Sequence, residues 1–293
     1  MPMIRARQSG LGSPVVFAHA RRLGAGFTLV EAVIVITITG ILAGAVAVFL
    51  QKPVAAYIDV ARRAELTATA DIALRRMVRD LRLALPNSVR SVAADAACLE
   101  FLPTIDGGLY RTGTPGNVFD TGVPLAALDV LGPLRAAPAV GDLLVIYNLG
   151  IPDADAYNGD NVGTVASGST PSQIVLSPSK QFLLASPGRR FQLVSGAEQA
   201  VFYVCSNVGT NAAGDGTGTL YRMAGYGINP APPSVCPAIP PNTPIVAQNI
   251  SACNFTYASG IAERSALVSM RLAITKKAES VSFYQDVHVS NLP

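Results

Sequence analysis

The chain has no tryptophan, two histidines and four cysteines, and 14% of its 293 residues are charged. Each shortage removes a class of function. The histidines, His19 and His288, stand far apart in sequence and cannot supply a histidine-rich metal centre. The cysteines (Cys98, Cys205, Cys236, Cys253) form no Cys-x-x-Cys pair, which argues against zinc ribbons and thioredoxin-like redox motifs. No Gly-x-Ser-x-Gly elbow occurs, and Gly214-Asp-Gly-Thr-Gly218 lacks the lysine of a phosphate loop and reads as a turn. Nor is there a basic surface to hold nucleic acid. The formal charge is +3, but Arg5, Arg7, Arg21 and Arg22 precede Gly26 with no acidic residue among them. Beyond Gly26 stand 18 basic and 19 acidic side chains.

What is present is a long apolar run. From Phe27 to Leu50 the one charged residue is Glu31. A carboxylate in such a run costs about 2–3 kcal/mol at the centre of a membrane helix, less near its end, and needs a reason to be there. A helix over 27–50 would reach about 36 Å at about 1.5 Å per residue, enough to cross a hydrocarbon core of about 30 Å. Arg21 and Arg22 orient it with its N-terminal side in the cytoplasm. Gly40 and Gly44 have the Gly-x-x-x-Gly spacing of closely packed helices, or are ordinary small residues of a membrane helix.

Gly26-Phe27-Thr28-Leu29-Val30-Glu31, placed after the arginines and at the head of this run, resembles the processing site of type IV prepilins and type II secretion pseudopilins. The resemblance implies cleavage after Gly26, N-methylation of Phe27, and Glu31 as the carboxylate that pairs with the terminal amine of a neighbouring subunit. Residues 1–26 are then a leader, and His288 is the one histidine left. Ala45-Val46-Ala47 imitates an ordinary signal-peptidase site, whose use would release a soluble protein starting at Val48. That alternative leaves Gly26 and Glu31 without a purpose.

After Pro53 a second helical pattern runs to Leu85. Leu66, Ala70, Ala73, Leu74, Met77, Val78, Leu81 and Leu85 form one apolar face. Arg75, Arg79 and Arg82 lie mostly off it, a row that suits an acidic partner or lipid headgroups, or, as the plainer reading, a solvated face paired locally with Asp71 and Asp80. Pro86-Asn87 ends it. From residue 91 the pattern turns to strands: 97–102, 142–148, 173–176, 181–184, 190–194, 200–205 and a weaker 220–223. Residues 206–249 read as a turn-rich excursion, with seven prolines between Pro230 and Pro244. The cleanest alternation follows. Val268, Met270, Leu272 and Ile274 share one face, Lys276–Ser280 turns, and Val281, Phe283, Val287 and Val289 continue, an antiparallel hairpin buried on one side. His288 falls on its open face. The expected fold is α+β: a long N-terminal helix, membrane-spanning in its first half (27–52) and periplasmic over 53–90, packed on an antiparallel β-sheet head (91–293), as in pilins.

Four cysteines beyond the span suit two bridges in an oxidising compartment, with three connectivities open. Cys205–Cys236 would close the turn-rich excursion, leaving Cys98–Cys253; free buried thiols are the alternative. Asp153, Asp155 and Asp160 gather oxygen ligands in one loop and make a weak calcium candidate. Tyr157 breaks the EF-hand register, so Asx turns are the plainer reading. No other cofactor, no catalytic set and no enzyme activity are expected.

Further blocks narrow the resemblance. Residues 61–66, 73–77, 85–90, 98–103 (Cys-Leu-Glu-Phe-Leu-Pro), 145–150 (Val-Ile-Tyr-Asn-Leu-Gly) and 287–293 (Val-His-Val-Ser-Asn-Leu-Pro) are similar to the O-type minor prepilins of the MSHA (mannose-sensitive haemagglutinin) pilus system. This implies a low-abundance subunit acting in filament initiation or at the tip. Its implied partners are major and minor pilins met through the N-terminal helix, a prepilin peptidase and N-methyltransferase, an inner-membrane assembly platform, and membrane lipid before assembly. It would sit in the bacterial inner membrane with its head in the periplasm, then in the filament. The rival readings are a J-like pseudopilin of type II secretion, a tip adhesin with a binding loop in 206–249, and a soluble periplasmic enzyme.

Overall fold

A computed structural model describes residues 26–92, 95–259 and 265–293. The chain divides into two compact units, one ending at Ile58 and one running Asp59–Pro293. A single helix, α1, spans Leu29–Arg82 with Pro53 inside it. The two helical patterns of the sequence are therefore one element. Proline has no N–H to give to the carbonyl four residues back, so the ladder loses a single bond there.

Through Leu50, α1 is apolar on nearly every side, with Glu31 its one charge. Leu29, Ile36, Ile41 and Phe49 are each more than 70% exposed, though they stand on different sides of the helix. In the second unit α1 is amphipathic, with Leu66, Ala70, Ala73, Leu74, Met77 and Leu81 buried. The expected face is thus correct through Leu81. Leu85 is buried too, but outside the helix. The helix stops at Arg82 because the backbone finds other partners. Leu85 N–H donates to the Leu102 carbonyl and Thr104 N–H to that of Leu83, both at 2.7 Å. Asn87 then turns the chain at φ 60°.

The strands follow in chain order: β1 (Arg90–Ser91), β2 (Cys98–Phe101), β3 (Thr104–Tyr110), β4 (Leu125–Leu131), β5 (Leu143–Ile146), β6 (Val162–Thr164) and β7 (Gln173–Lys180). Then come β8 (Arg190–Val194), β9 (Val201–Ser206), β10 (Gly218–Ala224), β11 (Ile245–Ala258), β12 (Ser265–Lys276) and β13 (Glu279–Ser290). They form a seven-stranded sheet, β1-β2-β9-β10-β11-β12-β13, and a six-stranded one, β6-β5-β8-β3-β4-β7. All their pairings are antiparallel. The α+β fold with the helix on an antiparallel sheet is as expected.

The buried face of α1 packs on the larger sheet, against Phe101, Tyr203, Leu220, Val268, Met270 and Ile274. The smaller sheet curls until its ends meet. Val165 bridges Leu176, and Ala166 N–H donates to the Val175 carbonyl at 2.8 Å. It encloses a separate core that includes Tyr110, Phe119, Leu128, Leu144, Phe182 and Phe191. Two adjacent glycines of β3 let it close. A Cβ at Gly107 would lie 2.9 Å from the Phe191 carbonyl oxygen, and one at Gly108 3.0 Å from the Phe191 ring.

Three expectations need correction. Residues 181–184 form no strand, although Phe182 is buried in the smaller core. The weaker strand expected at 220–223 is present as β10, but it lies between β9 and β11 in the larger sheet, so 206–249, which also holds the start of β11, is not wholly a surface excursion. The third concerns the disulfides. They are Cys98–Cys236 and Cys205–Cys253, with Cα separations of 5.7 and 6.4 Å, in place of Cys205–Cys236 and Cys98–Cys253. The reason is the period-two alternation of strands. Cys98 pairs with Val204 across β2 and β9, and both lie in the cluster that Cys236 packs against. Cys205, the next residue, points to the opposite face and belongs to the helix-side core. The neighbouring carbonyls of Ala96 and Ala97 accept from Phe255 and Cys205 at 2.7 and 2.8 Å, which brings β11 and β9 alongside one another at Cys253.

Polar anchors complete the second unit. Arg222 of β10 joins Asp80 of α1 (2.9 Å) to Glu198 (2.9 Å), and the Tyr203 hydroxyl donates to Asp80 at 2.8 Å. Burial, reinforced by the Asp80 carboxylate, pushes the Tyr203 phenol well above its ordinary value. Arg90 holds the buried Glu100 at 2.7 Å, while Tyr226 donates to the other carboxylate oxygen at 2.8 Å. Burial raises the Glu100 carboxyl despite Arg90. The same guanidinium stacks on the Tyr157 ring, 3.2 Å from its centre.

Two outcomes test this arrangement. Non-reducing peptide mapping should join the Cys98 peptide to the Cys236 peptide, and Cys205 to Cys253; a Cys205–Cys236 peptide would refute the face assignment. Hydrogen bonds from Arg222 hold the Glu198 carboxyl below its ordinary value. The pair's stabilisation is therefore complete above the unfolded glutamate value and fades as pH falls through the lower folded value. Acid unfolding of Glu198→Gln should lack that part of the wild-type slope.

Candidate functional site

The residues singled out for processing and assembly stand at the start of α1. Gly26 and Phe27 precede the first helical residue, Leu29, and both are exposed. Thr28 is the N-cap. Its Oγ1 accepts the Glu31 N–H at 3.2 Å, and its carbonyl accepts from Ala32 at 3.1 Å, the first bond of the ladder. Thr28-Leu-Val-Glu31 therefore has capping-box spacing. Glu31 sits in the first turn, where the helix dipole favours a negative charge, and its side chain is exposed. The Thr28 cap has a sequence signal, a threonine three residues before a glutamate at the head of an apolar run.

Beyond Glu31 the surface is apolar and offers few polar partners. Thr37 turns its hydroxyl back onto the Val33 and Ile34 carbonyls (3.0 and 2.9 Å), which satisfies the group without water. A Cβ at Gly40 or Gly44 would meet nothing within 4 Å, so both glycines open directly onto the helix surface. α1 is long and apolar enough to cross a membrane. Such a surface needs lipid or other helices around it. The arrangement can present one carboxylate, near a helix N-terminus and next to a small aromatic-led leader end, inside an apolar layer.

The remaining candidates have other uses. His288 lies exposed on β13 opposite Leu267 of β12. All four cysteines are in disulfides. In the acidic loop, Asp160 accepts from the Asp153 N–H at 3.1 Å and Asp155 from the Tyr157 N–H at 2.9 Å, as in Asx turns. Tyr157 is buried against Arg90 with its hydroxyl donating to the Ser88 carbonyl at 2.8 Å. Among the described residues no group of three or more His, Cys, Asp or Glu side chains is placed to hold a metal ion. Of the arginine row, Arg75 pairs with Asp71 at 2.7 Å, whereas Asp80 turns inward to Arg222.

Comparison with known families finds one match. Residues 21–47 fit the prokaryotic N-terminal methylation motif. The matched stretch takes in Arg21, Arg22, Gly26, Phe27, Glu31, Gly40 and Gly44. No match was found among curated proteins or among solved structures. The motif, at the head of a single apolar helix that leads into an antiparallel β-sheet unit, supports a type IV prepilin-like protein, a structural subunit of pilin or pseudopilin type, anchored in a membrane.

Proposed function

We propose that the chain is a minor subunit of an MSHA-type type IV pilus, acting in initiation or tip assembly. Cleavage after Gly26 frees the Phe27 amine, which is then methylated. The helix enters the filament with Glu31 facing the terminal amine of a neighbouring subunit. The observation that carries this reading is the position of Glu31, a lone exposed carboxylate one turn inside an all-apolar helix surface. Unpaired, it is costly where lipid or other helices surround it, though less than the about 2–3 kcal/mol of a carboxylate at the membrane centre. Opposed to an ammonium it becomes a docking point that fixes subunit register. The partners are other pilin helices, the peptidase and methyltransferase that process the end, and the inner-membrane platform that extracts the subunit from lipid. The similarity of blocks 98–103, 145–150 and 287–293 to O-type minor prepilins supports the choice of system.

Glu31→Ala should leave the helix and the head intact but abolish entry into filaments, as read by sheared-fibre blots. Thr28→Ala, which loses the cap at a cost of about 1 kcal/mol, should still assemble. Equal incorporation of Glu31→Ala and wild type would overturn the assembly role. Deleting the chain should remove surface pili and leave exoprotein secretion intact; the reverse phenotype would assign it to a type II secretion pseudopilus.

A further inference from the structure

Strand β13 ends the larger sheet and pairs with β12 alone. Its free edge is twelve residues long. It carries no proline and no lysine, the residues that commonly blunt such edges. The hairpin turn fixes which groups the edge offers. Lys277 and Ala278 form a two-residue turn, both with positive φ (52° and 62°). In such a hairpin the closing pair, Lys276 and Glu279, exchanges its own backbone bonds. By alternation, the N–H and C=O groups of Ser280, Ser282, Tyr284, Asp286 and His288 face outward.

Beside this edge, within the same unit, lies a groove of ≈ 680 Å³ between α1 and β13. The two elements run in the same direction. Arg63 meets Glu279 at 2.8 Å, and farther along Asn87 donates to the Asn291 carbonyl at 3.4 Å. Val78 and Phe283 form an apolar floor, half-buried; Tyr284 stands exposed at the rim. Arg75, Arg79 and Arg82 line the helix side. Arg75 has the exposed Asp71 as partner. Among the described residues Arg79 and Arg82 have no ion-pair partner.

We propose that this groove docks an extended acidic segment of a partner protein, which adds to the larger sheet as a strand beside β13. The spacing fits. The three arginines stand at i, i+4 and i+7, so successive guanidinia are offset by about 6 and about 4.5 Å along the axis. Same-face side chains of a strand repeat every about 6.6 Å. Carboxylates at alternate positions of the incoming strand therefore face successive arginines. Its main chain takes up the outward amides, which provides affinity, and the arginines select for acid. A lipid headgroup would satisfy the guanidinia but leave the amide row and the apolar floor unused. The site uses the second-unit part of α1 and not Glu31, and its test does not depend on the assembly role.

The test places a photoreactive benzoylphenylalanine at position 284 of the full-length protein in its own cells. A discrete adduct is expected. Its mapped peptide should be an extended segment of another protein with Asp or Glu at alternate positions. The yield should fall about tenfold or more in Arg79→Glu/Arg82→Glu, which reverses two charge-assisted contacts, and survive in Arg79→Lys/Arg82→Lys. Ser282→Pro, which removes one outward N–H from an edge that tolerates proline, should also lower it. Retention of the Cys98–Cys236 and Cys205–Cys253 links marks each variant as folded. An adduct with lipid or with a second copy of this chain would overturn the proposal. So would a peptide without acidic alternation, a yield indifferent to charge reversal, or no adduct.

Discussion

One constraint governs this molecule: a single helix has to satisfy two environments along its length. Through Leu50, α1 carries apolar side chains on nearly every side, a surface suited to lipid or other apolar helices. From Leu66 onward the same helix narrows its apolar surface to one stripe, and a seven-stranded sheet covers it. The composition of the helix changes where its surroundings must change. The larger sheet of the second unit serves that covered stripe. Asp80 on α1 is held by Arg222 and Tyr203 from two adjacent strands, which fixes the helix on the sheet by charge as well as by packing.

The two sheets divide the work. The larger one supplies the helix seat and ends in a long unpaired edge. The smaller one closes on itself around its own aromatic core and needs no helix. Between them lies a third cluster, with Leu85, Leu102, Val145 and Tyr157 among its members. The buried Arg90–Glu100 pair and the stacked Tyr157 adjoin it. Removing either charge of that pair would leave its partner buried and uncompensated, which is why such pairs come as sets with extra hydrogen bonds, here from Tyr226.

The sequence made some of this legible and hid the rest, for physical reasons. Where one face is buried and the other wet, the pattern is plain. The α1 stripe from Leu66 to Leu81 and the β12–β13 hairpin were both readable, since 3.6 and 2 are distinct periods. The processing hexapeptide was readable because a lone acid in an apolar run is conspicuous. β3 was hidden by Gly107 and Gly108, which look like a turn but make room for Phe191. β10 was legible as the weaker strand at 220–223, but its central place was not, because the partners on either side of it, β9 and β11, are set by tertiary pairing. The disulfides were misread because the pairing of β2 with β9, which sets Cys98 opposite Val204 and so on the face away from Cys205, is tertiary. Cys98 and Cys236 share the face away from the helix, and Cys205 does not. The helix end at Arg82 was decided by backbone partners at Leu102 and Thr104, which no local propensity reveals.

On this reading the mature subunit starts at Phe27, with Glu31 one turn inside α1. Intact-mass and N-terminal analysis of the protein extracted from membranes tests it most directly. The expected chain lacks residues 1–26 and starts at a phenylalanine that carries one added methyl group. A protein beginning at Val48 and recovered in the soluble fraction, or one still retaining its first 26 residues after assembly, would contradict it.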